Sequence, residues 1–190
     1  MKLFIGLVVM TLSVAFGTSA ASAQMMDKAS GNPMVGGAAM YKTKNIVENA
    51  VNSKDHTTLV AAVKAAGLVD TLASAGPFTV FAPVNSAFDK LPAGTVETLL
   101  KPENKAMLVK ILTYHVIAGN FSSSDVLKAI KKGKGKAEFT TVAGGKLTAM
   151  KVGKNVVLMD EKGGKSTVTI ADVKQSNGVI HVVDSVLLPN

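Results

Sequence analysis

The feature that most constrains this chain is a change of hydrophobic period at Gly135. Before it, apolar residues recur three and four positions apart. After it, they fall in short extended runs, several of them divided by glycine-containing turns. Helical segments first and strands later argue against βαβ alternation and predict an α+β fold. Asp55 and Thr57 are suited to cap a helix with Leu59, Val60 and Val63 on one face; Gly67 ends it, and a short helix with Leu68, Val69 and Leu72 follows. Residues 77–83 predict a short buried strand closed by proline, after which Asn85 and Ser86 cap one turn carrying Ala87 and Phe88. Pro102 fits the first turn of a helix with Met107, Leu108, Ile111 and Leu112, which runs into an extended segment at 114–117. Ser122 and Asp125 form a capping-box pattern ahead of Val126, Leu127 and Ile130. Strands are predicted over 139–142, 146–152, 155–159, 166–170 and 179–188.

Lys2, an apolar run from Leu3 and a small-residue ending at Ala23 are the parts of a secretory signal peptide, with cleavage expected after Ala23. The alternative is a membrane anchor, but the unbroken apolar stretch is shorter than the ~20 residues a spanning helix needs. No transmembrane segment is expected in the mature chain. Residues 24–44 show no period and carry Gly31, Pro33, Gly36 and Gly37, so a flexible arm is expected there, followed by one domain over residues 45–190. The chain has no cysteine, which excludes disulfides, cysteine-ligated metals and thiol nucleophiles. An exported chain without cysteine fits a bacterium, the protein being secreted or periplasmic.

The 21 basic residues are all lysine, and the net charge is +8. Ten of these lysines lie within residues 128–165, against three acids, Glu138, Asp160 and Glu161. The patch, which includes Lys131, Lys132, Lys134 and Lys136, is therefore local. Outside the cytoplasm such lysines suit a cell-surface partner, an anionic glycan or a lipid headgroup; the alternative is a solvated face that only aids solubility. No nucleic acid is expected, given the leader, the missing arginines and only 5% aromatic residues for base stacking.

No catalytic set is present. Gly164-Lys165-Ser166 lacks the upstream glycine of a phosphate loop, since Met159 stands there, and a strand-like segment follows it. His56, His115 and His181 are far apart in sequence. They could converge on a metal, or be one solvent-facing cap residue and two core imidazoles bonded to backbone. The expectation is no metal, no cofactor and no enzyme. Asp160-Glu161 is expected in a turn.

Two stretches carry a resemblance. Residues 76–88, with Thr79, Phe81, Pro83, Asn85 and Phe88, resemble the first signature of the fasciclin-type adhesion domain. Residues 177–189, with Asn177, Gly178, His181 and Asp184, resemble the second, and 112–117 between them resembles the family's Tyr-His segment. Val84 departs from the pattern, standing where members often have threonine. The resemblance implies one compact domain with a β-wedge flanked by helices. It also implies an exported, non-enzymatic adhesion or surface-interaction module, expected as a monomer, that binds cell-surface or matrix components. Tyr114 and His115 match the segment associated with receptor binding, the alternative being that both rings pack inside. Some similar proteins carry carotenoids, so a carrier of a small lipophilic ligand is the second expectation, with Met107, Met150 and Met159 lining a groove.

Overall fold

The computed structural model describes residues 31–190. The expected leader, residues 1–23, and residues 24–30 of the expected arm lie outside the described residues. Two short strands, β1 (Met34–Val35) and β2 (Ala38–Ala39), precede the helical half. That half contains α1 (Ile46–Ala50), α2 (Thr57–Ala66), α3 (Val69–Ala73), β3 (Phe78–Pro83), α4 (Asn85–Phe88), α5 (Thr95–Leu100), α6 (Lys105–Tyr114), β4 (Val116–Ala118) and α7 (Ser123–Lys132). The strands β5 (Lys136–Thr140), β6 (Lys146–Val152), β7 (Asn155–Met159), β8 (Lys165–Gln175) and β9 (Gly178–Val183) follow. The α+β expectation holds.

The seven larger strands form one mixed sheet in the order β4-β3-β9-β8-β7-β6-β5. At its centre β3 and β9 run parallel, in register from Phe78 opposite Gly178 to Pro83 opposite Val183. Both are buried along nearly their whole length, which is why they read as continuous apolar runs. Their side chains alternate between two cores. Val80, Ala82, Ile180 and Val182 face a core built with α1, α2, α3 and α6. Phe81 and Val183 face a second, closed by Tyr114, by Val126 and Ile130 of α7, and by Leu147 and Leu158. Beyond β5 the chain returns to β4, where Val142 N–H donates to the Val116 carbonyl at 2.8 Å, so the sheet wraps around this second core.

Local chemistry sets several boundaries. Gly67, in the left-handed region at φ 71°, ends α2. Both halves of the Ser122/Asp125 capping box are formed. The strand predicted over 139–142 lies earlier, at Lys136–Thr140, and four further expectations need correction. Tyr114 and His115 end α6 instead of extending, because the helical spacing of Leu108, Ile111 and Leu112 continues through His115, whose N–H bonds the Leu112 carbonyl. The strand predicted over 166–170 runs on to Gln175; two register irregularities and a left-handed Asp172, φ 60°, break the alternation that would have marked it. The strand predicted over 179–188 stops at Val183, where Asp184 turns its carboxylate to the Thr167 N–H at 2.8 Å.

The fourth correction concerns the arm. From residue 33 on it is folded: Met40 N–H bonds the Pro33 carbonyl, Lys54 N–H bonds Gly36, and Val35 and Met40 are 4% and 2% exposed within the helix-side core. Glycines that read as a flexible linker are here the left-handed corners of a tight β1–β2 turn, Gly36 packed against the Ser53 hydroxyl and the backbone amides of Lys54 and Asp55. Met40→Ala is expected to destabilise the protein by about 2–3 kcal/mol, measured by urea unfolding, whereas a flexible arm would show no change.

Candidate functional site

The signature residues are internal stitching. Thr79, fully buried, donates through Oγ1 to the Gly119 carbonyl at 2.7 Å and accepts the Phe121 N–H at 2.9 Å, tying β3 to the segment after β4. Phe81 stacks on His181 with ring centroids 5.6 Å apart. Pro83 ends β3, and Phe88 packs against the helix-side core. Asn177 holds three groups: it accepts from Ile46 N–H at 3.1 Å and donates to the carbonyls of Leu72 at 2.8 Å and Ser74 at 2.9 Å. With Ser176 it forms the turn before β9, and Gly178 is the first strand residue.

Asn85 does something its local sequence does not show. Instead of capping its own turn, it accepts from Thr58 N–H at 3.0 Å and Thr57 Oγ1 at 3.2 Å and donates to the Lys54 carbonyl at 2.8 Å. It thereby caps α2, where neither Asp55 nor Thr57 supplies a cap and the N-cap residue, His56, makes no side-chain cap bond. Burial pushes the Asp184 carboxyl up, but the Thr167 N–H, the Ser185 hydroxyl at 3.1 Å and Lys90 at 3.8 Å outweigh it and hold it below the usual carboxylate range.

Tyr114 and His115 cannot meet a partner. Tyr114 is fully buried, its hydroxyl donating to the Lys146 carbonyl at 2.6 Å and accepting Glu161 N–H at 3.3 Å. Burial, with the nearby Glu161 and Asp160 charges, pushes its pKa up to about 12 against the lowering effect of the Glu161 amide. His115 is 3% exposed and bonds Ile111 O and Leu187 N. A ring at the end of an amphipathic helix follows that helix's apolar face inward. His56 is also buried, its Nδ1 2.9 Å from the Ser53 hydroxyl, so none of the three histidines is a solvent-facing cap residue. Among the described residues, no group of three or more histidine, aspartate and glutamate side chains could hold a metal ion.

Lys131, Lys132, Lys134 and Lys136 are all exposed, and so are Lys151, Lys154, Lys162 and Lys165. Lys128 pairs with Asp125 at 3.7 Å and Lys146 with Glu138 at 3.3 Å, whereas those eight have no ion pair. Gly133 and Gly135 make the end of α7 compact: Gly135 N–H returns to the Ile130 carbonyl, and a Cβ on Gly133 would strike the Lys136 carbonyl. Four exposed lysines are thereby brought close along the chain, Lys131 and Lys132 in the last turn of α7, Lys134 in the turn and Lys136 at the start of β5, where a helix C-terminus favours positive charge.

Of the cavities among the described residues, two bear on the binding of an apolar ligand. One, about 50 Å³, lies between α1, α2, α3, α6 and the sheet and is lined almost wholly by aliphatic side chains. The other, about 230 Å³, opens between the start of α7, β7 and β8. Met107, Met150 and Met159 line neither; Met107 is exposed on α6, while the other two sit on β6 and β7, so no shared groove forms. No sequence signal marks the second cavity, because its walls come from three separate elements.

Comparison with known proteins places this arrangement. The fasciclin domain model matches residues 54–189. Protein sll1483 of Synechocystis is 47% identical over 176 residues, 92% of this chain and 90% of that protein. The immunogenic protein MPB70 of Mycobacterium bovis is 37% identical over 145 residues, 74% of this chain and 66% of its own, and the cell surface glycolipoprotein MPB83 of the same species is 40% identical over 122 residues, 64% and 48%. Among solved structures, a FAS1 domain pair from the insect cell adhesion molecule fasciclin I superposes with a TM-score of 0.67 at 20% identity, over 76% of this chain and 51% of that one. With its signature residues stitched into this wrapped sheet and the family model spanning that whole unit, the chain belongs to the fasciclin-domain family.

Proposed function

We propose that this protein is an exported, non-enzymatic adhesion module that attaches to cell-surface or matrix material through the basic turn joining α7 to β5. Its partner is an anionic glycan, a lipid headgroup or an acidic patch on a surface protein. The observation that carries this is the display of Lys131, Lys132, Lys134 and Lys136, exposed and without carboxylate partners, around a turn braced by Gly133 and Gly135. Ammonium groups not neutralised internally keep their field for an external anion. The names of the mycobacterial relatives, one a cell surface glycolipoprotein and one an immunogenic protein, support a secreted or periplasmic setting. The non-enzymatic reading is supported by three histidines sequestered in separate places and by signature residues spent on backbone bonds.

The test is retention of the mature protein on sulfated-polysaccharide beads and on vesicles containing anionic lipid. Retention is expected to fall at least about tenfold when Lys131, Lys132, Lys134 and Lys136 are all changed to Ala, each basic group near an anionic surface contributing roughly 1 kcal/mol. It is also expected to fall between ~50 and ~500 mM salt, since exposed charges are screened. The variant's unfolding midpoint should stay within about 0.5 kcal/mol of the parent. Undiminished retention by the variant, or equal retention at both salt concentrations, would overturn the reading.

A further inference from the structure

The 230 Å³ cleft has a chemistry of its own. Its floor is the Phe81–His181 stack, each ring 2% exposed. Its walls are apolar: Val126 and Leu127 of α7 on one side, Val156 and Val168 of β7 and β8 on the other. The polar groups at its base are already satisfied. His181 donates from Nε2 to the Phe121 carbonyl at 2.9 Å and accepts Asp172 N–H on Nδ1 at 3.3 Å. Ser123 donates both its N–H, at 2.7 Å, and its hydroxyl to the Asp172 carboxylate, which is thereby turned toward the start of α7 and is not among the lining groups. Asp125 is likewise engaged by Ser122 and Lys128.

The polar side chains left free are at one place on the rim, the β6–β7 turn. Lys154 and Asn155 line the cleft, are exposed, and make no side-chain hydrogen bond or ion pair. A satisfied apolar floor beneath an ammonium and an amide discriminates between ligands. A neutral hydrocarbon leaves the ammonium unused, and a cation is repelled. An apolar body with a carboxylate head fills both halves, since a carboxylate accepts from both donors. The volume sets the size. It exceeds the ~150 Å³ that holds a benzene ring and falls below the ~300 Å³ at which drug-sized pockets begin.

We infer that this cleft, floored by Phe81 and His181 and rimmed by Lys154 and Asn155, is a binding site for small amphipathic carboxylates of one or two rings or an equivalent short chain. The site lies apart from the α7–β5 turn and does not depend on its binding a surface. The left-handed Asp172 supports the site: the irregular β8 backbone lets its N–H reach His181 and its carboxylate reach Ser123, keeping the floor free of unsatisfied groups.

The chain has no tryptophan, so indole fluorescence comes from the probe alone, and binding is read as the change in its emission on titration. Titration with indole-3-acetate is expected to give saturable binding in the sub-millimolar range, with 3-methylindole weaker and tryptamine weakest. Lys154→Gln should weaken the acid about threefold to tenfold while leaving 3-methylindole unchanged. Ala171→Phe, at an exposed lining position, should abolish binding of both by filling the space; circular dichroism and the unfolding midpoint check that each variant is folded. Absence of saturable binding at millimolar probe, tryptamine binding as well as the acid, or acid binding indifferent to both substitutions would each overturn the assignment.

Discussion

Acidification from about pH 7 to about pH 5 is expected to destabilise the fold by several kcal/mol, through three buried histidines. His115 donates from Nδ1 to the Ile111 carbonyl at 2.8 Å and accepts the Leu187 N–H on Nε2 at 3.0 Å. His181 is held in the same way, in the opposite tautomer, between Phe121 O and Asp172 N. In each ring a second proton would meet an N–H donor head-on. His56 has its Nε2 buried with no partner. Burial lowers the pKa of all three; the carbonyls of Ile111, Phe121 and Ala82, and the charges of Asp160, Asp172 and Asp55, offset only part of this. The unfolded chain therefore takes up protons below about pH 6.5 that the native protein refuses. The stability these neutral rings carry is complete above that pH and is lost as pH falls through it toward the depressed native values. Each histidine contributes about 1.4 kcal/mol per pH unit while it stays neutral, so the three together give a slope of up to about 4 kcal/mol per unit. The carboxyls of Asp125, Glu161 and Asp184, all held low, act only below about pH 5 and leave this window clear. Urea midpoints measured across the range check the slope; a flat profile between pH 7 and 5 would refute it.

Gly178→Ala is expected to cost more than about 4 kcal/mol and to leave little folded protein at 37 °C. A Cβ at this position falls on the Phe78 carbonyl oxygen, with the Phe78 carbonyl carbon only 2.9 Å away. The obstacle is backbone, and neither side can yield. Phe78 is fixed between Gly178 on one side and Ala118 on the other, and its N–H bonds the Asn177 carbonyl at 3.1 Å. Shifting β9 away would open the parallel pairing at the sheet's centre and both cores that alternate through it. Gly144→Ala is the control: nothing lies within 4 Å of its Cβ, so only the strain of its left-handed φ of 85° is added, about 1–2 kcal/mol. Thermal unfolding of the two variants side by side decides the matter, and equal losses would show that close backbone approach at Gly178 is not what matters.

The contrast between these two glycines also shows what a sequence withholds. Both read as turn residues, but one is a turn and the other is a strand residue made indispensable by a neighbour a hundred positions away. Asn85 is similar: its type and place after Pro83 predict a cap, yet the helix it caps begins 28 residues earlier, at Thr57. Tyr114 and His115 look like polar groups available to a partner until α6 turns them into the core. The four lysines of the α7–β5 turn were legible because exposure of charge is the default, whereas Lys154 and Asn155 acquire meaning only through the cleft beneath them.

Period, capping pattern and charge clustering, each fixed by neighbours along the chain, determined the α+β class, most of the helices and strands, and the place of the basic patch. Tertiary structure alone decided which strands lie parallel at the centre, which polar side chains end as backbone stitching, and where a cleft remains between α7, β7 and β8. Those outcomes depend on contacts between residues distant in sequence, whose pairing is set by how two cores pack against the same pair of buried strands.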